Sequence, residues 1–272
     1  MASLEDRIET FHQLHAAGCF VIPNPWDIGS ARLLAALGFK ALASTSSGFA
    51  FSIGHRDNAV ALDDVLVHLR ALAEAVDVPV SADFERGFAE DPEGVAASVT
   101  RAAATGIAGL SIEDRTGDPS APLFDFDLAV DRIRAARTAI DATGTRLVLT
   151  GRCEGYLVGR PDLRETIRRL TAYAEAGADC LHAPGLRDIA DITAVVEAVA
   201  PKPVNVLVFG GFTTVDALAA AGVRRISVGG ALARVALTAL VEAATEISRD
   251  GTFTALGKAL TFGEIGTRFG LP

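Results

Sequence analysis

The chain has 272 residues, 50% of them hydrophobic and 22% charged, with 34 acidic against 25 basic side chains and a formal charge of −9. That length and apolar content exclude a disulfide- or metal-stapled mini-protein and a disordered chain, and they suit one domain spanning 1–272. The acidic balance leaves no basic field for phosphate backbones, so neither nucleic acid nor a membrane surface is an expected partner.

Met1 to His15 is polar and mixed rather than a signal peptide, and no apolar run approaches the roughly 20 residues that span a bilayer. A cytoplasmic, soluble protein is expected. Cys19, Cys153 and Cys180 cannot all pair and lack a C-x-x-C spacing, which reads as free thiols in a reducing compartment.

Eight short apolar runs read as strands: Cys19 to Ile22, Ala41 to Thr45, Pro79 to Asp83, Gly109 to Glu113, Arg146 to Gly151, Cys180 to Ala183, Val204 to Val208 and Arg225 to Val228. Their continuous apolarity marks strands buried on both faces, as in a parallel sheet. Helical patterns lie between them. Gly38, Gly106, Gly177 and Gly222 each follow a helical pattern and precede a strand, the place for a left-handed helix cap. Asp91-Pro92-Glu93 signals a helix start, and Asp91 and Asp125 read as caps rather than ligands. Eight βα units in about 230 residues predict a (β/α)₈ barrel, and Pro23-Asn24-Pro25-Trp26-Asp27 after the first strand has no dinucleotide fingerprint. Residues 231–272 exceed the eighth unit; Ala231 to Ile247 reads as one helix, followed by short ones, and the excess is expected to pack on another subunit.

In such a barrel, function sits at the C-terminal ends of the strands. Strand three ends Asp83-Phe84-Glu85, strand four ends Glu113-Asp114, and strand five ends Arg152-Cys153-Glu154. Alternation along a strand directs Asp83 and Glu85 to the same side, towards Glu113 of the neighbouring strand. Three carboxylates without a His or Cys pair make an oxygen site for Mg²⁺ or Mn²⁺, held partly through water. Arg152 can grip a substrate carboxylate, or else pair with Glu154 or Glu113. A second cluster, Ser46-Ser47-Gly48, offers backbone N–H groups to an anionic oxygen, with Asp57 in reach of the same mouth. The Gly210-Gly211 and Gly229-Gly230 pairs suit either a phosphate cradle or close backbone packing.

Pro25-Trp26-Asp27, Ser46-Ser47-Gly48, the Asp57 loop, Asp83 to Phe88, Ile112-Glu113-Asp114, Gly151-Arg152-Cys153-Glu154 and the Asn205 strand occur in an order that resembles the isocitrate lyase/phosphoenolpyruvate mutase superfamily. The resemblance implies a (β/α)₈ barrel of the phosphoenolpyruvate mutase type, assembled as a tetramer of paired subunits that swap the eighth helix. It implies Mg²⁺ contacted by Asp83, with its waters held by Glu85 and Glu113. It also implies a 2-oxo acid substrate bound by Trp26, Ser46, Ser47, Gly48, Arg152 and Asn205, with Ser47, Gly48, Arg152 and Asp57 serving catalysis.

Two departures matter. The family often has Asp where this chain has Glu85, which lengthens a water bridge. The loop 115–123 lacks the Lys-Lys-Cys-Gly-His of the isocitrate and methylisocitrate lyases, and also the Lys and Asn of the C–P bond enzymes. Alternation points Cys153 away from the site. No loop acid is needed if the leaving group is CO₂, so the expectation is a Mg²⁺-dependent lyase of 2-oxo dicarboxylates, oxaloacetate first. The alternatives are a C–P bond enzyme or a methylisocitrate lyase-like enzyme, and then a 2-oxo acid binding protein, with Asp118 as a possible substitute loop acid.

Overall fold

The structure, a computed structural model, describes residues 2–269. Met1 and residues 270–272, the ends of the expected domain and extension, lie outside the described residues.

Eight strands alternate with helices: β1 Phe20–Ile22, β2 Leu42–Ala43, β3 Val80–Asp83, β4 Gly109–Glu113, β5 Val148–Arg152, β6 Cys180–His182, β7 Val204–Leu207 and β8 Arg225–Ser227. The helices are α1 Leu4–Ala16, α2 Ile28–Ala36, α3 Ser46–Ser52, α4 Leu62–Ala75, α5 Pro92–Ala103, α6 Phe126–Ala142, α7 Leu163–Glu175, α8 Ile189–Val199, α9 Val215–Ala220, α10 Ala231–Asp250 and α11 Phe262–Arg268. Each predicted run overlaps a strand; half of the ends are shorter than predicted, and β5 runs one residue past its predicted end, to Arg152. The strands pair in parallel in the order β1-β8-β7-β6-β5-β4-β3-β2. At the seam between β1 and β2 the Ala43 N–H donates to the Pro23 carbonyl at 3.1 Å. Asn24 staples the same corner. Its amide donates to Ser44 O and its carbonyl accepts from the Val228 and Gly229 N–H groups. The result is a nearly closed (β/α)₈ barrel.

The local rules behind the barrel hold. Gly38, Gly106, Gly177 and Gly222 all have positive φ at helix ends, a backbone conformation that glycine enters without the cost an L side chain carries. Asp91 caps α5 by accepting from the Gly94 N–H at 2.8 Å, with Pro92 at the first helical position. Asp125 sits at the cap position of α6 without a side-chain bond. Helix α1 closes the N-terminal end of the barrel through buried Phe11. An ideal Cβ on Gly109 would stand 2.9 Å from the Phe11 ring and 2.7 Å from Val148 O, so this contact needs glycine.

Among the described residues, no helix is long and apolar enough to cross a membrane. The expected C-terminal helix is present and longer, running to Asp250. It carries exposed Val235, Leu240 and Val241, and Phe262 beyond it is almost wholly exposed.

Candidate active site

The C-terminal ends of β3, β4 and β5 gather the charged residues. Asp83 is fixed from β2: its N–H donates to the Ser44 hydroxyl at 2.9 Å, and its Oδ2 accepts the Ser46 N–H at 3.0 Å. Its other oxygen lies 2.5 Å from Arg152 Nη1. Arg152 Nη2 is 2.9 Å from Glu113 and 3.0 Å from Glu154. Both ion pairs considered for Arg152 are therefore made, and Asp83 adds a third. Glu85 joins the cluster by a different route from simple alternation. The strand ends at Asp83, and Glu85 has a left-handed φ of +49°, a conformation an L residue enters at a cost.

The acids destabilise one another's charged forms. Burial, then the charges of Asp83 and Asp57, pushes Glu85 up to about 7. Burial raises Glu113 well above the usual carboxylate range, opposed by Arg152 and reinforced by Glu154 and Asp83. Asp57 is on the exposed loop, yet its carboxyl is desolvated enough to be raised, with Asp83 adding and a Ser46 hydrogen bond opposing. Asp83, Glu85, Glu113 and Asp57 thus crowd together, and Arg152 pairs with only two of the four, Asp83 and Glu113. An oxygen-only set with excess negative charge fits a hard divalent cation. Among the described residues no three His, Cys, Asp or Glu side chains are grouped to ligate a metal directly.

The Ser46-Ser47-Gly48 cluster opens α3, capped by Thr45, whose hydroxyl accepts the Gly48 N–H at a long 3.3 Å. The Ser47 N–H meets no acceptor among the described residues. A Cβ on Gly48 would stand 2.6 Å from Thr45 Cγ2 and 3.0 Å from Trp26 Cβ, which places Trp26 against this turn. A Cβ on Gly230 would lie 2.5 Å from the Ser47 hydroxyl, whereas Gly210 and Gly211 have open space around them. Close packing therefore explains Gly230, and the Gly210-Gly211 pair has no such contact. Asn205 is buried on β7, donating to Ser227 and accepting from Arg225.

Asp83, Arg152 and Asn205 line a cavity of about 90 Å³, and so do two residues missed by the sequence reading, His182 and Arg225. Each is a polar residue on an otherwise apolar buried strand, which was the available signal.

Behind the mouth, buried Asp114 accepts from the Glu154 N–H (2.8 Å), Arg169 (3.1 Å) and Tyr173 (2.7 Å). Arg169 also donates to Phe124 O, so both ends of loop 115–123 rest on one guanidinium. The loop doubles back through an Arg115–Leu123 bridge. Ser120 holds the Asp118 carboxyl below its usual range, making it a poor proton donor. Cys153 is buried and its thiol is pushed far up by burial, as expected of a core residue.

A (β/α)₈ barrel with a carboxylate-rich mouth over β3 to β5 defines a class of enzyme, and comparison with known proteins specifies it. The phosphoenolpyruvate phosphomutase family model matches residues 11–248, and the chain belongs to that family, within the phosphoenolpyruvate mutase/isocitrate lyase superfamily of carbon–carbon lyases and mutases. A structure from Burkholderia cenocepacia J2315, assigned to the lyase/mutase class, is 50% identical with a TM-score of 0.95, covering 99% of this chain and 97% of the other. Oxaloacetate acetylhydrolase in complex with oxalate is 27% identical with a TM-score of 0.87, over 100% and 96%. The 2-methylisocitrate lyase of Escherichia coli K12 is 33% identical over 65% of this chain and 62% of its own. The oxaloacetate decarboxylase of Pseudomonas aeruginosa PAO1 is 28% identical over 92% and 90%. Superfamily members generally depend on a divalent metal.

Proposed function

We propose that this enzyme is a Mg²⁺-dependent lyase of small 2-oxo dicarboxylates, and that oxaloacetate decarboxylation is its reaction. The observation that carries the reading is the mutually repelling set of half-buried Asp83 with buried Glu85 and Glu113, beside a loop 115–123 with no neutral acid. The length of the match to a decarboxylase supports it. In this reading Asp83 contacts Mg²⁺ (or Mn²⁺), and Glu85 and Glu113 hold its waters. When bound, the metal supplies Lewis-acid polarisation of the 2-oxo group.

The chain's own groups do the rest. The Ser47 N–H, joined by the Gly48 N–H once it leaves its long bond to Thr45, would donate to the oxygen on which charge develops as the C3–C4 electron pair moves towards C2 and CO₂ departs. Trp26 and Ser46 wall the substrate, and Asn205 and Arg152 orient it. Asp57, whose carboxyl is raised by burial and by the charge of Asp83, would return a proton to C3 and yield pyruvate. Purified protein with Mg²⁺ is expected to form pyruvate from oxaloacetate. No pyruvate, together with a Glu113→Ala variant equal to the parent, would end the proposal. A methylisocitrate-type cleavage has the support of the 33% identity to that lyase, but it needs a proton donor that the loop lacks.

We read 1–272 as one domain, in a homotetramer whose paired subunits exchange the 231–272 segment. Exposed Val235, Leu240, Val241 and Phe262 support this arrangement. Sedimentation at micromolar concentration should return the mass of four chains.

A further inference from the structure

Between β3 and α5 the chain takes three left-handed residues within four positions: Glu85 (φ +49°), Gly87 (φ +76°) and Phe88 (φ +57°). Glu85 and Phe88 carry side chains, which enter that region at a cost and stay there only where the surroundings over-determine them. Here the surroundings occupy almost every carbonyl of the turn. Phe84 O accepts from the Gly87 N–H at 2.9 Å, and Glu85 O accepts from the Glu113 N–H at 3.0 Å. Ser98 of α5 donates to Gly87 O at 2.5 Å. Three more carbonyls are held by a single side chain of α6. Arg132 donates through Nη1 to Ala89 O at 2.6 Å and to Glu90 O at 2.5 Å, and through Nη2 to Arg86 O.

Arg132 is only 1% exposed. Burial, and then the Arg86 charge, lowers its pKa to about 10, so it stays charged at neutral pH. Its hydrogen bonds go to carbonyls and none to a carboxylate, so it is not placed there to neutralise an acid. A planar guanidinium has donors in fixed directions and can grip several carbonyls at once. The Phe124 ring lies 4.0 Å from its central carbon, which fixes the plane of the fork.

We propose that Arg132 is a positioning residue for the candidate active site. By holding the carbonyls of residues 86, 89 and 90 it keeps Glu85 in its left-handed conformation, and so sets where that carboxylate stands relative to Asp83 and Glu113. It rests on the reading above in which Glu85 holds the waters of the cation, and it adds the device that puts Glu85 there. Without the clamp, residue 85 relaxes to an ordinary negative φ and its side chain turns off the cluster.

Mg²⁺ titrated calorimetrically into the full chain tests this through a double-mutant cycle with Glu85→Gln. Arg132→Met is expected to weaken Mg²⁺ by about 10-fold or more, the scale on which residues that orient a metal's ligands act, and Arg132→Lys by less. In the Glu85→Gln background the same changes should alter Mg²⁺ affinity by less than about twofold, because the residue they act through is gone. An equal loss in both backgrounds overturns the proposal, since a general loosening of the fold weakens both alike. A folded Arg132→Met protein with the parent's affinity overturns it too. If Arg132→Met does not fold, Arg132→Lys carries the cycle.

Hydrogen exchange without metal gives an independent readout. In Arg132→Lys, peptides covering 84–91 and 109–116 should exchange about 10-fold faster than in the parent, because the Gly87 and Glu113 amides are bonded to this turn, while peptides from β6 to β8 keep the parent's rates. Faster exchange everywhere, or no local change, overturns the proposal. A parent that binds no Mg²⁺, with the local change in exchange present, ends the cation reading alone. A parent that binds Mg²⁺, with affinity unchanged in both Arg132 variants, ends the positioning role alone.

Discussion

Arg152 and Asp83 stand 2.5 Å apart, and the same carboxylate accepts the Ser46 N–H through its other oxygen. One aspartate from β3 thereby joins the guanidinium of β5 to the first turn of α3. The charge and the backbone donors of the mouth are coupled through it.

Because Glu113 is buried beside Arg152, Asp83 and Glu85, removing its charge should be felt first in cation binding. Glu113→Gln is expected to weaken Mg²⁺ by about 10- to 100-fold, with a comparable fall in kcat/KM for oxaloacetate. Calorimetry with Mg²⁺ alone separates the two effects. Equal Mg²⁺ affinity in parent and variant would remove Glu113 from the metal environment.

The two glycines facing the Ser47 turn should behave differently. A Cβ at Gly48 meets the branched Thr45 side chain at 2.6 Å and the Trp26 and Ala233 Cβ atoms at 3.0 and 3.2 Å. Gly48→Ala is expected to cost about 1–3 kcal/mol, because none of those atoms can turn away. At Gly230 the obstacle is the Ser47 hydroxyl, which can rotate. Gly230→Ala should then cost less stability than Gly48→Ala and lower activity by displacing Ser47. Urea midpoints and kcat for both variants check the ordering.

His15 gives the fold a pH dependence of defined sign. Its pKa is lowered from 6.5 to about 3 by burial and by Arg225. Between those values the unfolded chain binds a proton that the folded one refuses. Its contribution is therefore fully present above about pH 6.5 and is lost as pH falls towards about 3, up to a few kcal/mol in all. Urea unfolding at several pH values should show a shallower decline for His15→Gln than for the parent. Parallel curves would mean that other groups govern acid unfolding.

Asp114 and Arg169 form a buried pair, and the aspartate also takes the Glu154 N–H and the Tyr173 hydroxyl. Arg169→Met should destabilise by about 3–5 kcal/mol, because a buried carboxylate loses its cation. Adding Asp114→Asn should recover part of that loss. Because Arg169 also holds Phe124 O, the single variant should be cut faster by protease within 115–123. An unchanged cleavage rate would separate the loop from this anchor.

The sequence alone determined the barrel and most of its rim. Strand runs, glycine helix ends and caps are local properties, set by side-chain size and backbone φ, and the acids after β3 and β4 occupy positions where a (β/α)₈ barrel carries its chemistry. Charge partnership was not local. Arg152 could be given two acids from its neighbourhood, but the third, Asp83, comes from 69 positions away. Glu85 reaches the cluster through a left-handed residue beyond the strand end, where alternation no longer applies. Arg225 read as the start of an apolar run because its partner His15 is 210 positions distant, on the helix that closes the barrel. Only the closed barrel determines which buried guanidinium groups meet a carboxylate, because desolvation and pairing depend on what the other strands and helices bring within a few ångströms.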